Sequence, residues 1–220
     1  MVSCLFYYIK MDTHINAFLE YVSKLNNPEI VLVRKKEVVQ WLYGDLSFLP
    51  DVSAIKTKKK QKAQNKVNED LWGRAIMKSV RPDLTLDKQW TNLFGKIICK
   101  ELYTMAGKKV TKNKKKKNYD PDWECESDML EAKAGTFNTG GTAGEKILGC
   151  PFKYAEIPEL FGKPLKILCM GHAEKECREK FGNLTGDKCV PQKKKFLDFF
   201  RENGIEYVGA TELMRSLIPN

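Results

Sequence analysis

The sequence lacks the patterns that mark several protein classes. It has only two histidines, which disfavours a histidine-based nuclease centre such as a ββα-metal finger. No apolar run approaches the roughly 20 residues that a helix needs to cross a bilayer, so we expect no membrane partner. The first ten residues are apolar but have neither a basic start nor a small-residue cleavage site, which is atypical of a signal peptide. Met1 and Met11 both remain open as the native start.

The cysteines also lack a regular pattern. There are seven, an odd number, with no Cys-x-x-Cys pair, which predicts reduced thiols in an intracellular, cytoplasmic protein that is not secreted. Cys169, His172, Cys177 and Cys189 have the residue types of a zinc site, but their spacing is irregular. Cys169 also ends an apolar stretch, where a buried thiol behaves as a small hydrophobe, so zinc stays a minor alternative.

Positive charge is abundant and unevenly distributed. The chain has 38 Lys and Arg against 28 Asp and Glu, a net +10. Residues 1–118 hold 24 basic and 11 acidic side chains, a net +13, whereas residues 119–220 hold 14 and 17, a net −3. A basic half favours a polyanionic partner, most simply nucleic acid, because neutralised phosphates release counterions. The alternative is that the charged runs only keep the protein soluble.

The first half of the chain shows helical periodicity. Apolar spacing and helix stop signals predict helices over 12–25, 35–42, from Asn68, and from Leu86 to Gly107. Residues 56–62 have no core face and are predicted to be a loop or a frayed helix end. The run 108–117, with seven lysines, is predicted to be an exposed hairpin or loop.

The second half alternates short strands with helices. Strands are predicted at 123–126, 129–134, 164–170 and 205–208. Helices are predicted from near Glu145 and over 173–181, 193–203 and 211–217. This alternation indicates an α/β or α+β core.

Six carboxylates fall within twelve residues of this half: Asp120, Asp122, Glu124, Glu126, Asp128 and Glu131. Such clustering is repulsive unless cations neutralise it, so a divalent metal site is indicated. On a strand, Glu131 and Lys133 point to the same face. Asp122, on the neighbouring strand of a hairpin, can supply a second oxygen ligand for Mg²⁺.

A Pro-Asp followed by Glu-x-Lys on the next strand resembles the PD-(D/E)xK nucleases, in particular type II restriction endonucleases. The similarity lies in five segments: 119–123, 130–133, 141–149, 151–155 and 163–167. It implies a central mixed sheet of four to five strands flanked by helices, with a helical N-terminal part. We expect residues 1–67 to form a helical region with a basic run and residues 68–220 the nuclease core, together one compact domain. The alternative is an exposed acidic hairpin, because such motifs arise by chance.

The resemblance also implies site residues and an activity. Asp122 and Glu131 would bind Mg²⁺ with the Ala132 carbonyl, and Lys133 would orient or deprotonate the attacking water. Glu101 is the best-placed further acid, with Glu69 as the fallback. The implied reaction is cleavage of double-stranded DNA at a short specific site, leaving a 5′-phosphate and a 3′-hydroxyl. Such enzymes commonly act as homodimers on palindromes, and a paired DNA methyltransferase protects the host DNA.

The glycine-rich segment 135–149 follows the predicted catalytic strand. Its glycines allow close approach to DNA, and nearby side chains offer hydrogen bonds to bases or phosphates. The candidate DNA-binding residues are Thr136, Asn138, Thr139, Thr142, Lys146 and Lys153. The alternative is a flexible connector. Other functions left open are a DNA repair or junction-resolving nuclease and, ranked lower, a non-catalytic DNA-binding or lysine-rich structural protein.

Overall fold

The N-terminal part of the protein is helical. The computed structural model describes residues 2–27, 30, 32, 36–83, 90–138, 143–184 and 188–219. Its first four helices are α1 (Val2–Ser23), α2 (Lys36–Tyr43), α3 (Lys58–Val80) and α4 (Trp90–Met105). None of the described helices is long and apolar enough to cross a bilayer.

Helix α3 begins before its predicted start at Asn68, and most of the run 56–62 is helical, which corrects its reading as a loop. The hydroxyl of Thr57 accepts a hydrogen bond from the backbone N–H of Lys60 and caps the helix. Lysine, glutamine and alanine, which fill the first turns, are good helix formers even without a core face. The expected boundary between residues 67 and 68 therefore falls inside a helix.

The second half carries a mixed four-stranded sheet flanked by helices, which confirms the predicted fold class at this level. The strands are β1 (Trp123–Glu124), β2 (Met129–Gly135), β3 (Leu165–Gly171) and β4 (Ile205–Gly209), in the order β1-β2-β3-β4. Strand β1 pairs antiparallel with β2, and the other two pairings are parallel.

Helices connect the parallel strands and follow the last one. They are α5 (Ala143–Leu148), α6 (Cys150–Lys153), α7 (Ile157–Phe161), α8 (His172–Glu176) with the π-helical turn Cys177–Phe181, α9 (Pro191–Glu202) and α10 (Ala210–Leu217).

The sheet separates two hydrophobic clusters because alternate side chains of each strand point to opposite faces. On one face, Leu130 and Leu168 pack with residues of α1 to α4 and α10, so residues on both sides of position 67 share one core. On the other face, Met129 and Ile167 pack with residues of α5 to α8, including Ile157. Glu131 and Lys133 follow Met129 at intervals of two and therefore point to this second face.

Candidate active site

Asp122 lies immediately before β1 and is held on three sides. Its carboxylate is buried, with 6% of the residue exposed. Oδ2 accepts a hydrogen bond from the backbone N–H of Ala132 at 2.8 Å, and Oδ1 lies 2.7 Å from Nζ of Lys96 on α4. The ammonium of Lys112 also donates to Oδ1 of Asp120 and to the carbonyls of Pro121 and Asp122, at 3.1 to 3.4 Å. The Pro-Asp turn is therefore fixed against β2 and α4.

Glu131, in the middle of β2, is the second buried carboxylate, also 6% exposed. Its Oε1 accepts hydrogen bonds from Nζ of Lys133 at 2.6 Å and from the hydroxyl of Tyr154 at 2.9 Å. The Lys133 ammonium also lies 5.7 Å from the centroid of the Tyr154 ring. As the sequence predicted, Glu131 and Lys133 share a face, and Tyr154 completes their environment.

The two carboxylates form one negative centre. Burial opposes protonation of Lys96, but its hydrogen bond to Asp122 and the charges of Asp122 and Glu131 outweigh burial and raise its pKa. Burial likewise opposes protonation of Lys133, and the charge of Glu131 raises the pKa above its ordinary value. The pKa of the Tyr154 hydroxyl is raised first by burial and then by the charge of Glu131. Two ammonium groups and a neutral phenol therefore surround the two carboxylates.

This donor set suits Mg²⁺, a hard cation that takes oxygen ligands and is often held by only one or two carboxylates. The two buried carboxylates are already neutralised by cationic side chains, which shows that the site demands positive charge. The Ala132 N–H and C=O point to the same edge of β2, where the N–H meets Asp122, so this carbonyl is the third protein oxygen at the site. Among the described residues, no three His, Cys, Asp or Glu side chains form a metal-binding group.

Glu101 does not complete this group. It is buried on α4, but the helix face turned to the site is marked by Lys96 and by Cys99. Burial raises the pKa of the Cys99 thiol, and the charges of Asp122 and Glu131 add to that effect. Glu101 lies two residues beyond Cys99, about 160° around the helix at 100° per residue. The expectation of Glu101 as a metal ligand is therefore not supported by the orientation of α4.

Glu69, the fallback for that role, has a different position. It is only 1% exposed, and its carboxylate accepts four hydrogen bonds of 2.9 to 3.0 Å. The donors are the indole Nε1 of Trp41, the backbone N–H groups of Phe137 and Asn138, and the Asn138 side-chain amide. Glu69 thus anchors the start of the glycine-rich segment to α3 and α2.

This anchoring corrects the prediction for Asn138, whose amide N–H is used inside the protein and not held out towards DNA. Thr136 is half-buried, and Thr139 and Thr142 lie outside the described residues. Lys146 and Lys153 are exposed, as a phosphate contact requires. Lys153 is also close to the carboxylates, because its ammonium lies 4.8 Å from the centroid of the Tyr154 ring.

The lysine-rich run 108–117 divides into two sets. Lys116 donates to the carbonyl of Leu160 at 2.8 Å, and Lys117 pairs with Glu156 at 3.1 Å, so both join Lys112 in holding the fold. In the described part of the chain, the remaining four have no side-chain partner and are available for phosphates: Lys108, Lys109, Lys114 and Lys115.

The cysteine and histidine set does not assemble into a zinc site. Cys169 and Cys177 are buried with their sulfurs 3.7 Å apart, whereas the His172 ring packs against Phe137. The search of the described residues for metal-binding groups returns none that includes them. The cysteines at 169 and 177 act as small core residues.

Sequence reasoning missed Lys96, Tyr154 and the anchoring role of Glu69. One signal for Lys96 is its neighbour Gly95, where a Cβ atom would lie 2.9 Å from Cβ of Ala134. The glycine lets α4 approach β2 closely enough for Lys96 to reach Asp122. Comparison with known proteins finds no relative: no protein-family model, no curated protein and no solved structure matches the chain.

Proposed function

We propose that this protein is a Mg²⁺-dependent endonuclease that hydrolyses phosphodiester bonds of double-stranded DNA at a short specific site, as type II restriction enzymes of the PD-(D/E)xK superfamily do. One observation carries the proposal. Two buried carboxylates on neighbouring segments of a mixed sheet lie in one electrostatic centre, and Lys133 shares the face of Glu131. That is the arrangement such a nuclease requires.

Each residue of the centre has a role in this reaction. Asp122, Glu131 and the Ala132 carbonyl would hold the metal, which when bound stabilises charge on the scissile phosphate and helps generate hydroxide. Lys133 orients the attacking water and offsets phosphate charge. Tyr154 holds the Glu131 carboxylate, and Lys96 holds Asp122. These hydrogen bonds fix both carboxylates before DNA arrives.

The basic surface supports a DNA substrate. The unpartnered lysines of the run 108–117, the exposed lysines of 56–66 and Lys153 supply sequence-independent affinity through phosphate contacts. Recognition of a palindromic site would follow from a homodimer, because the two-fold symmetry of protein and site match. We further propose a restriction-endonuclease-like fold and a cytoplasmic enzyme whose host DNA is protected by a paired methyltransferase.

Cleavage of a defined plasmid tests the proposal. Wild-type protein with Mg²⁺ should give discrete fragments, and sequencing their ends gives the site and the cut position. Asp122→Asn and Glu131→Gln should abolish cleavage while retaining DNA binding, because each removes a metal ligand. Glu126→Gln is the matched control, since Glu126 belongs to the same acidic cluster but is exposed. Wild-type rates in either ligand variant would refute the proposed centre.

The same assay separates the alternatives. A repair or junction-resolving nuclease would leave the plasmid intact and cut only branched or damaged duplexes, using the same carboxylates. A non-catalytic DNA-binding protein would retard DNA without cutting any of these substrates. Discrete fragments from unmodified plasmid are the outcome expected here.

A further inference from the structure

Phe152 is the most exposed large apolar residue described in the protein, with 90% of its surface accessible. It lies on α6, where Cys150 and Pro151 are buried and Tyr154, the residue that ends the helix, turns inward to Glu131. Phe152 therefore projects outward from an element that the active-site carboxylate itself holds in place. The backbone N–H of Tyr154 also donates to the carbonyl of Cys150 at 2.9 Å, which fixes this short turn.

The surroundings of Phe152 are apolar and basic. Leu148, four residues earlier, is a second exposed apolar side chain, with 41% of its surface accessible. The exposed Lys146 and Lys153 flank the two apolar residues in sequence. An apolar side chain beside lysines matches a nucleic acid better than a protein surface, because bases present apolar faces between charged phosphates.

Resting on the proposed function, we infer that Phe152 inserts between stacked bases of the bound duplex next to the scissile phosphate. An inserted phenylalanine unstacks a base step and kinks the duplex. The fixed position of α6 would set where that distortion occurs relative to Glu131 and Lys133. Phe152 would thereby determine which base steps are cut, favouring those that unstack easily.

Binding to two duplexes tests this contact. The duplexes have the same length and sequence except for one central mismatch, and EDTA prevents cleavage. Wild-type protein should bind the mismatched duplex more tightly, because insertion requires less unstacking there. Phe152→Ala should lose this preference and bind the mismatched duplex about 10-fold more weakly, within the range for loss of one aromatic–base contact.

Three controls make the outcomes distinct. Phe196→Ala removes another exposed phenylalanine, on α9, and should change neither affinity. Lys153→Gln should weaken binding to both duplexes equally, because it removes a phosphate contact. Thermal unfolding should be unchanged in Phe152→Ala, whose side chain is exposed.

The contact is refuted if Phe152→Ala binds both duplexes as the wild type does while the wild type still cleaves plasmid. A second overturning result is that Phe152→Ala keeps the mismatch preference but converts a dimer to a monomer in sedimentation, which would assign Phe152 to a protein interface. If the wild type binds neither duplex and cuts no plasmid, the nuclease proposal fails together with this one.

Discussion

Replacing Glu69 with glutamine should destabilise the protein more than any surface exchange of the same kind. The carboxylate accepts four hydrogen bonds, two on each oxygen, and cannot be replaced by a group that carries its own N–H donors. Glutamine keeps one oxygen, so its NH₂ group must face two donors. Each hydrogen bond to a charged group contributes about 1.5–3 kcal/mol, so losing two costs about 3–5 kcal/mol.

Thermal unfolding measures this cost directly. For a chain of this size a loss of 3–5 kcal/mol lowers Tm by roughly 6–20 °C. The control is Glu202→Gln at the end of α9, an exposed position where we expect a change within about 0.5 kcal/mol. Equal Tm values for the two variants would show that the four donors contribute no net stability. Well below its Tm, Glu69→Gln should also cleave DNA more slowly, because the segment after β2 loses its anchor.

Three further predictions test other contacts. Tyr154→Phe should lower the cleavage rate and cost about 1 kcal/mol in chemical denaturation, since Glu131 loses a buried hydrogen bond. Gly73→Ala should lower Tm, because its Cβ would lie 2.3 Å from the Trp90 ring, whereas Gly149→Ala, with its nearest neighbour at 3.8 Å, should not. Glutamine at the four unpartnered lysines should flatten the log–log salt dependence of DNA binding by up to about 0.9 per lost phosphate contact, and an unchanged slope would show that they only solubilise: Lys108, Lys109, Lys114 and Lys115.

The strands of this fold were predictable because their side chains alternate or form buried apolar runs that local sequence displays. Strand β3 is the clearest case, since five of its seven residues after Lys166 are buried. The start of α3 was not predictable from periodicity, because its first turns have no core face and depend on the Thr57 cap. Absence of an apolar stripe therefore does not exclude a helix that is rich in good helix formers.

The acidic half of the candidate site was predictable because its members are close in sequence. Asp122, Glu131 and Lys133 fall on one hairpin, where pairing and a period of two fix their relation. Lys96 and Tyr154 come from elements 26 residues before Asp122 and 23 residues after Glu131, so only the packed fold brings them to the centre. Glu101 illustrates the converse, because a correct helix assignment did not indicate which face of α4 meets the sheet.

Net charge also overstates what a basic run can offer to DNA. Lys112, Lys116 and Lys117 belong to the run 108–117, yet each holds a backbone carbonyl or a carboxylate of its own chain. A lysine already held in this way gains less by contacting phosphate, because the internal contact must be broken first. If all seven lysines contacted DNA, the Pro-Asp turn would lose the ammonium that bonds the carbonyls of Pro121 and Asp122. Binding of DNA and positioning of Asp122 therefore require different lysines of the same run.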